Sequence, residues 1–459
     1  MHDEDRMIFP CQRMPDDPKT ARLLGLYPQR QENMWMQRIM IPGGVLTSQQ
    51  WHALAQIARE LTARTPLHLT TRQDIELHDL KAEHVPLAQK MIAEAGLTCL
   101  GAGGDSLRNI TVCPCSGLLH GSVDLHPLAA QVLHSLQNEQ QAIFALPRKF
   151  KISFSCSDAC GSPWINDLGF VARRRNNQYG FRLIGAGSLG ASPRTGIVLF
   201  DWLPAEDAIA AALAAVRLFA AQGDRKHRSR ARLRHVRERL GDRTFITMLA
   251  SEFDKAKSQR IRPHAVPAKP NGRFASHLTL TFANGDLSPD AADALAGLAR
   301  EDDVCLRISR YHQIVAFGAS DGQLREAVAA LPALAGPATP QATVVACPGI
   351  RWCKYGLVDT NRISRRIHAE RSQRLGPNTV VCVSGCRNGC AHSAVADIGL
   401  VGQRVSHDGQ KAEAFDLLAQ GGMGRNDKLA LPIASGLSAD EVLSRIDGLR
   451  ALGCDGAEP

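Results

Sequence analysis

No stretch of this 459-residue sequence is apolar for long enough to cross a bilayer. In its Ala-rich segment, the longest run free of charged and strongly polar residues is Ala208 to Val216, far short of the ~20 residues that a spanning helix needs. The start, MHDEDR, has no basic region leading into an apolar core. No secretory leader and no membrane association are therefore expected, and the expected location is the cytoplasm. A disulfide framework is not expected either. The 13 cysteines are odd in number and sit in a long chain, which favours metal binding or redox chemistry. With 44% hydrophobic and 22% charged residues, disorder, collagen and coiled coil are excluded as the main class. The length suggests about three globular units or two large ones.

The net charge of +9 admits an anionic partner. The run RKHRSRARLRHVRER (225–239) holds eight Lys or Arg but no aromatic that could stack on a base. It reads as a solvated helix or linker, and no nucleic-acid partner is expected. Gly185-Ala-Gly187-Ser-Leu-Gly190 follows an apolar strand in the spacing of a dinucleotide loop, but Ser192-Pro193 follows at once where a helix should open. A nucleotide site is rejected on that ground. No room remains for a flavin or nicotinamide domain, so an external electron carrier would be required.

What the sequence does hold is a duplication. LHLTTRQDIEL (67–77) aligns without a gap to LRISRYHQIVA (306–316), and each follows a helical pattern. RNITVCPCSG (108–117) corresponds to VVACPGIRWC (344–353), and FSCSDACGSPWINDLGFVA (154–172) to VSGCRNGCAHSAVADIGLVG (383–402). The reading is an N-terminal arm (1–30), a small half-domain (31–100), a larger block (101–270), then the pair again (271–338 and 339–459), with VPAKPNG (266–272) as linker. Where the first copy has Arg72 the second has Tyr311. The loop thus lacks its cation in one copy, which predicts a single active site between pseudo-symmetric halves.

The second-half cysteines form Cys-x5-Cys (Cys347, Cys353) and Cys-x3-Cys (Cys386, Cys390). Four thiolates from two loops can hold a cubane iron–sulfur cluster. Zinc, which prefers a shorter first spacing, and buried free thiols are the rivals. Gly385, Asn388 and Gly389 surround the second pair, where glycine lets backbone N–H groups approach sulfur. Cys113, Cys115, Cys156 and Cys160 occupy the equivalent places in the first half but begin as Cys-x-Cys. They read as buried thiols left from the duplicated ancestor, with a second cluster as the alternative.

ACPGIRWC together with SGCRNGCAHSAVADIGLVG resembles the cluster signature of the sulfite/nitrite reductase hemoprotein family. MQRIMIPGGVLTSQQW, LTTRQDIELHDL, RNITVCP, PRKFKISF and GFRLIGAGSLGASPRTG resemble the same family. The likeness covers nearly all of the chain after residue 25. It implies an α+β fold of two ferredoxin-like half-domains and two larger mixed α/β domains, and siroheme joined to a [4Fe–4S] cluster. By position Cys390 would bridge the two, with Cys347, Cys353 and Cys386 binding the cluster alone. Arg38, Arg108, Lys149 and Lys151 match positions that surround the substrate, and Arg72 matches an arginine on the siroheme. Asn109, Gly185, Gly187 and Asn388 are further candidates for cofactor contact. Lys149 and Lys151 alternate in an extended segment, so both can face one side. The implied reaction is the six-electron reduction of sulfite to sulfide, with nitrite to ammonia as the alternative; Lys151 tilts the reading toward sulfite. A corrin-ring oxygenase resembling precorrin-3B synthase and a non-catalytic iron–sulfur binding protein are the remaining readings. A ferredoxin or a flavoprotein subunit would supply electrons. Glu76 stands where some sulfite enzymes have Gln.

Overall fold

The computed structural model describes residues 9–139, 143–267, 270, 272–334, 341–407 and 409–449. Part of the expected linker (Ala268, Lys269, Asn271), the acidic start and Cys454 lie outside the described residues. Among the described residues there are four sheets, two in the small half-domains and two in the larger blocks.

The first small sheet runs, in spatial order, Leu26–Pro28, Met34–Ile39, Ile75–Lys81, Leu67–Leu69 and Asp286–Leu287, all antiparallel. Its first strand comes from the stretch read as an arm, and its last is lent by the second copy. Helix Ser48–Leu61 starts on a capping box in which Thr47 and Gln50 exchange side-chain-to-backbone bonds. Its apolar face, Trp51, Leu54, Ile57, Ala58 and Leu61, is buried. The second small sheet, Ser276–Thr281, Gln313–Gly318 and Cys305–Ile308, is also antiparallel. Helix Pro289–Leu298 of this copy packs on Ser48–Leu61 of the first, and the two copies share one hydrophobic core.

The repeat at 67–77 and 306–316 forms a hairpin in each copy. The reason lies at its tip. Thr70 Oγ1 accepts from Arg72 N and Asp74 N, while Ser309 Oγ accepts from Tyr311 N. Gln73 and His312 both take a left-handed conformation (φ 62° and 59°). A hydroxyl that captures backbone two residues on stabilises a turn in place of a continuous strand.

The two large sheets have the same topology. One is Thr111–Val112, Ile152–Ser155, Leu168–Arg175, Gln178–Gly185 and Ile197–Pro204; the other is Thr343–Ala346, Val380–Ser384, Ile398–His407, Gln410–Ala419 and Leu431–Leu437. In each, the first two pairings are parallel and the last two antiparallel. The carboxylate before the third strand makes the same bond in both: Asp167 accepts from Lys151 N (2.8 Å) and Asp397 from Val380 N (2.9 Å). One residue into that strand, a Cβ on Gly169 would lie 2.5 Å from Pro163, and one on Gly399 2.1 Å from Ser393 O. The duplication therefore extends to individual contacts. The Ala-rich segment is a buried helix, Ala208–Gln222, inside the first large core. No helix of the described residues is long and apolar enough to cross a membrane.

Candidate active site

The first large sheet ends in an extended segment that carries the lysines. Phe150 bridges Leu107, with Phe150 N bonded to Ser106 O and Arg108 N to Phe150 O. Phe150 is fully buried, so Lys149 and Lys151 leave on the opposite side, as alternation requires. Both are half-buried. Among the described residues neither ammonium has a hydrogen-bond or ion-pair partner. Burial, then Arg232, pulls Lys149 down to about 8 against an opposing pull from the Cys390 thiol. Lys151 is lowered further by burial and by Lys149, Arg72 and Arg232. Both lysines are thus without a matching charge among the described residues.

Arg38, on strand Met34–Ile39, lies beside Arg108. Both donate to the Ala102 carbonyl, at 3.1 and 2.7 Å. Arg38 is also closed onto Glu76 by two bonds of 2.9 and 2.7 Å. Burial alone would raise the Glu76 carboxyl, yet Arg38 and His78 outweigh it and hold it well below the usual carboxylate range. The Glu76 substitution thus removes most of the free charge of Arg38. Arg108 is buried, with Nε unpartnered.

Tyr27 sits between these two arginines, its ring 5.3 Å from the Arg38 guanidinium carbon. Burial opposes ionisation of its hydroxyl, but Arg108 and Arg38 outweigh burial and bring it down to about 8. The sequence reading missed this residue. The signal was weak, a lone Tyr in the stretch read as an arm. Arg232 was missed too. The basic run is only partly solvated: Arg232 is 7% exposed and pairs with Asp167 at 2.8 Å, beside the lysines. Of the other members, Arg237 pairs locally with Asp242, and Arg228 reaches back to Asp105.

Arg72 sits at its hairpin tip and donates to Asn166 Oδ1 (2.6 Å), Ile152 O (2.8 Å) and the Asn109 carbonyl. Its Nε is unpartnered, and burial lowers it to about 10. Asn109 donates to Ile41 O and Arg72 O and keeps a buried Oδ1 without a partner. In the second copy the cation is displaced by one residue rather than lost, because Arg310 precedes Tyr311 and donates to Met423 O at 2.8 Å. Arg72, Lys151, Asn166, Arg310, Tyr311 and His392 all line one cavity of about 160 Å³.

The four second-half cysteines converge from two loops. Burial raises the thiols of Cys347, Cys353 and Cys386, and each of them also feels the charge of Cys390. Gly385 N donates to Cys347 Sγ at 3.1 Å. Asn388 is exposed and its backbone and side chain both bond toward Cys386. Cys390 is the exposed member. Its carbonyl accepts from Thr71 Oγ1 at 3.0 Å, which ties the Arg72 hairpin to the cysteine loop. No three of these sulfurs lie as close as 4.8 Å to one another. That spread suits a multi-iron cube, in which each thiolate binds a different iron, better than one zinc ion.

Gly185 and Gly187 are buried where backbone passes close. A Cβ on Gly187 would lie 2.0 Å from Trp164 O, and one on Gly185 2.3 Å from Leu199. The loop they begin reaches the cysteine loop at Gly190, whose nitrogen lies 3.7 Å from where a Gly389 Cβ would stand. The residues therefore fit both groups. Four thiols converge from two loops, Cys390 acts electrostatically on Lys149, and Lys149 and Lys151 have no acidic partner among the described residues, a donor set that suits a cluster, a polycarboxylate macrocycle and an oxyanion.

Comparison with known proteins gives the same picture. Residues 103–257 and 340–450 match the nitrite and sulphite reductase 4Fe-4S domain, and residues 27–95 match the nitrite/sulfite reductase ferredoxin-like half domain. The chain is 30% identical over 477 residues to an assimilatory ferredoxin-dependent nitrite reductase of Haloferax mediterranei, covering 93% of this chain and 80% of that protein. It is 28% identical to a ferredoxin–nitrite reductase of Synechococcus elongatus, covering 89% of this chain and 84% of the relative. A ferredoxin-type sulfite reductase of Mycolicibacterium paratuberculosis is 26% identical over 88% of this chain and 79% of its own. The solved structure of the Mycobacterium tuberculosis NirA protein shares the fold, with a TM-score of 0.80 at 23% identity over 96% of this chain and 88% of that one.

Proposed function

The chain belongs to the nitrite and sulphite reductase family, whose siroheme and [4Fe–4S] cluster are its cofactors, and from that premise we propose that it reduces nitrite to ammonia with electrons from a ferredoxin. The observation that carries the choice of substrate is the closure of Arg38 onto Glu76. Nitrite is a monoanion at neutral pH, whereas sulfite is a mixture of hydrogensulfite and the dianion there and carries the larger mean charge. A site in which one of four cations is neutralised by its own carboxylate favours the smaller charge. The prevalence of nitrite reductases among the similar proteins supports the same reading. Sulfite to sulfide remains the second reading, supported by Lys151 and by the Mycolicibacterium relative.

The reaction takes six electrons and eight protons to convert nitrite to ammonium and two waters. When bound, the cofactors would relay the donor's electrons to the anion. In this proposal Cys347, Cys353, Cys386 and Cys390 would hold the cluster, and Cys390, the exposed member, would also face the siroheme. Arg72, Asn109 and Asn388, with the Gly185–Gly187 loop, frame the macrocycle. Lys149, Lys151 and Arg108 draw in the anion and orient it, and Arg38 acts through Glu76 as a fixed dipole. Lys149 at about 8 and Tyr27 at about 8 stand near the working pH, where a group gives and regains protons most readily.

Ferredoxins are acidic as a rule, and the cluster loop is basic. Arg30, Arg351, Lys354 and Arg387 are exposed around it, with Tyr355 and Leu357 exposed beside them. Arg30 holds this loop in place through Gly356 O at 2.8 Å. Turnover with the same reduced ferredoxin, scored as ammonium from nitrite and sulfide from sulfite, is the test. The expected result is a higher kcat/KM for nitrite; a higher value for sulfite would reverse the assignment.

A further inference from the structure

The first-half cysteines do not behave as leftovers. Cys113 leaves strand Thr111–Val112 and Cys156 leaves strand Ile152–Ser155 at the same ends of two neighbouring parallel strands. Cys160 returns four residues later through Gly161, which takes φ +69° and has no room for a side chain: a Cβ there would lie 2.0 Å from Ser155 Oγ. Among the described residues, Cys113, Cys156 and Cys160 alone bring three potential metal-ligand atoms within 4.8 Å of one another. Cys160 Sγ accepts backbone N–H bonds from Cys156 (3.0 Å) and Ser157 (3.4 Å). Such bonds are the outer support of metal–thiolate loops. Cys115, whose thiol interacts with that of Cys113, is the nearest fourth donor, although its sulfur does not lie within 4.8 Å of all three.

The two halves thus part company on one geometric point. Cys156 and Cys160 are the repeat counterparts of Cys386 and Cys390, yet the first-half sulfurs are contracted and the second-half ones spread. Tetrahedral zinc at about 2.3 Å from each sulfur sets neighbouring sulfurs about 3.8 Å apart. The contracted set is compatible with that distance. Cube corners bind different irons and hold their thiolates farther apart.

The surroundings match in charge. A zinc tetrathiolate carries two negative charges. Arg310 and Arg425 line the same cavity as Cys113, Cys115 and Cys160, and neither has an acidic partner among the described residues. Arg310 is buried, and its hydrogen bonds run to a carbonyl and to the Tyr311 hydroxyl. From the sulfur spacing, the N–H bonds and these unmatched arginines, we propose that Cys113, Cys115, Cys156 and Cys160 bind a single divalent zinc-class ion. It is a structural closure of the first large sheet beside the cavity and takes no part in turnover.

The experiment uses full-length protein with its cofactors loaded, purified anaerobically from zinc-sufficient medium. Zinc and iron are counted by mass spectrometry. The expected result is about one zinc per chain in addition to the cofactor iron. C160S and, as a milder variant at the edge of the site, C115S should each lower the zinc content at least several-fold while leaving iron and the siroheme absorption in place. Cobalt substitution should give the intense visible bands of tetrahedral thiolate coordination in the parent and not in C160S. Absence of zinc after reduction and zinc addition overturns the proposal. So does an iron count raised by a further cube, or zinc that C160S and C115S both retain. These readouts do not depend on which oxyanion is reduced, so this proposal and the assignment of substrate fail separately.

Discussion

Lys149→Met separates a functional cation from a structural one. Lys149 is half-buried, has no acidic partner among the described residues, and is lowered from 10.5 to about 8, chiefly by burial and then by Arg232. At about 1.4 kcal/mol per unit, that difference places about 3 kcal/mol against the ammonium in the folded protein. The sign follows from linkage. The folded group loses its proton near 8 and the unfolded one near 10.5, so the unfolded chain binds more protons between those values, and folding stability rises with pH across that window. Below pH 8 the full cost is present. Methionine keeps most of the stem packing and removes the charge. The variant should therefore unfold at higher denaturant than the parent at pH 7, by up to about 3 kcal/mol, and the advantage should vanish above pH 10.5. The same substitution should cost activity. A charge-assisted bond to an anion contributes about 1.5–3 kcal/mol, which corresponds to a fall in kcat/KM of roughly 10- to 150-fold. Chemical denaturation at pH 7 and pH 10.5, with steady-state kinetics on nitrite, reads both effects. A variant with unchanged kcat/KM, or one destabilised at pH 7, would refute the view of Lys149 as an unpaired cation kept for substrate.

Further outcomes follow from the same geometry. In the free enzyme kcat/KM for nitrite should fall as pH rises through about 8, because Lys149 and Tyr27 both lose a proton there; a flat profile from pH 7 to pH 9.5 would exclude them as the controlling groups. Glu76→Gln should free the Arg38 fork and raise kcat/KM for sulfite relative to nitrite several-fold, measured with both substrates and one electron donor; an unchanged ratio would remove the charge argument for nitrite. Arg232→Met strands Asp167, whose side chain has no exposure, and should destabilise the chain by about 3–5 kcal/mol in urea unfolding. A loss under 1 kcal/mol would show that the Lys151 N–H bond to Asp167 suffices by itself. Cys347→Ser should lower cluster iron per chain while leaving the fold intact by circular dichroism, since the Cys347 backbone keeps its bonds to Val383 O and Thr360 Oγ1.

Linear order carried the duplication and the grouping of the cysteines into two sets. A repeat shows in sequence because both copies must satisfy the same local constraints. The hydroxyl at Thr70 and Ser309, the carboxylate at Asp167 and Asp397, and the glycine at Gly169 and Gly399 each answer a backbone group within their own unit. The four lysine and arginine candidates stand within or beside extended segments, Arg38 in strand Met34–Ile39 and Lys149 and Lys151 just before strand Ile152–Ser155. Folding alone decided the rest, because it depends on contacts between distant segments. It set Tyr27 between Arg38 and Arg108, turned Arg232 inward onto Asp167, closed Arg38 onto Glu76 and lent Asp286–Leu287 to the other copy's sheet. It also drew three first-half sulfurs together while leaving their counterparts spread. Spacing along a chain says which thiols share a loop. How far apart their sulfurs rest is set by the strands that deliver them.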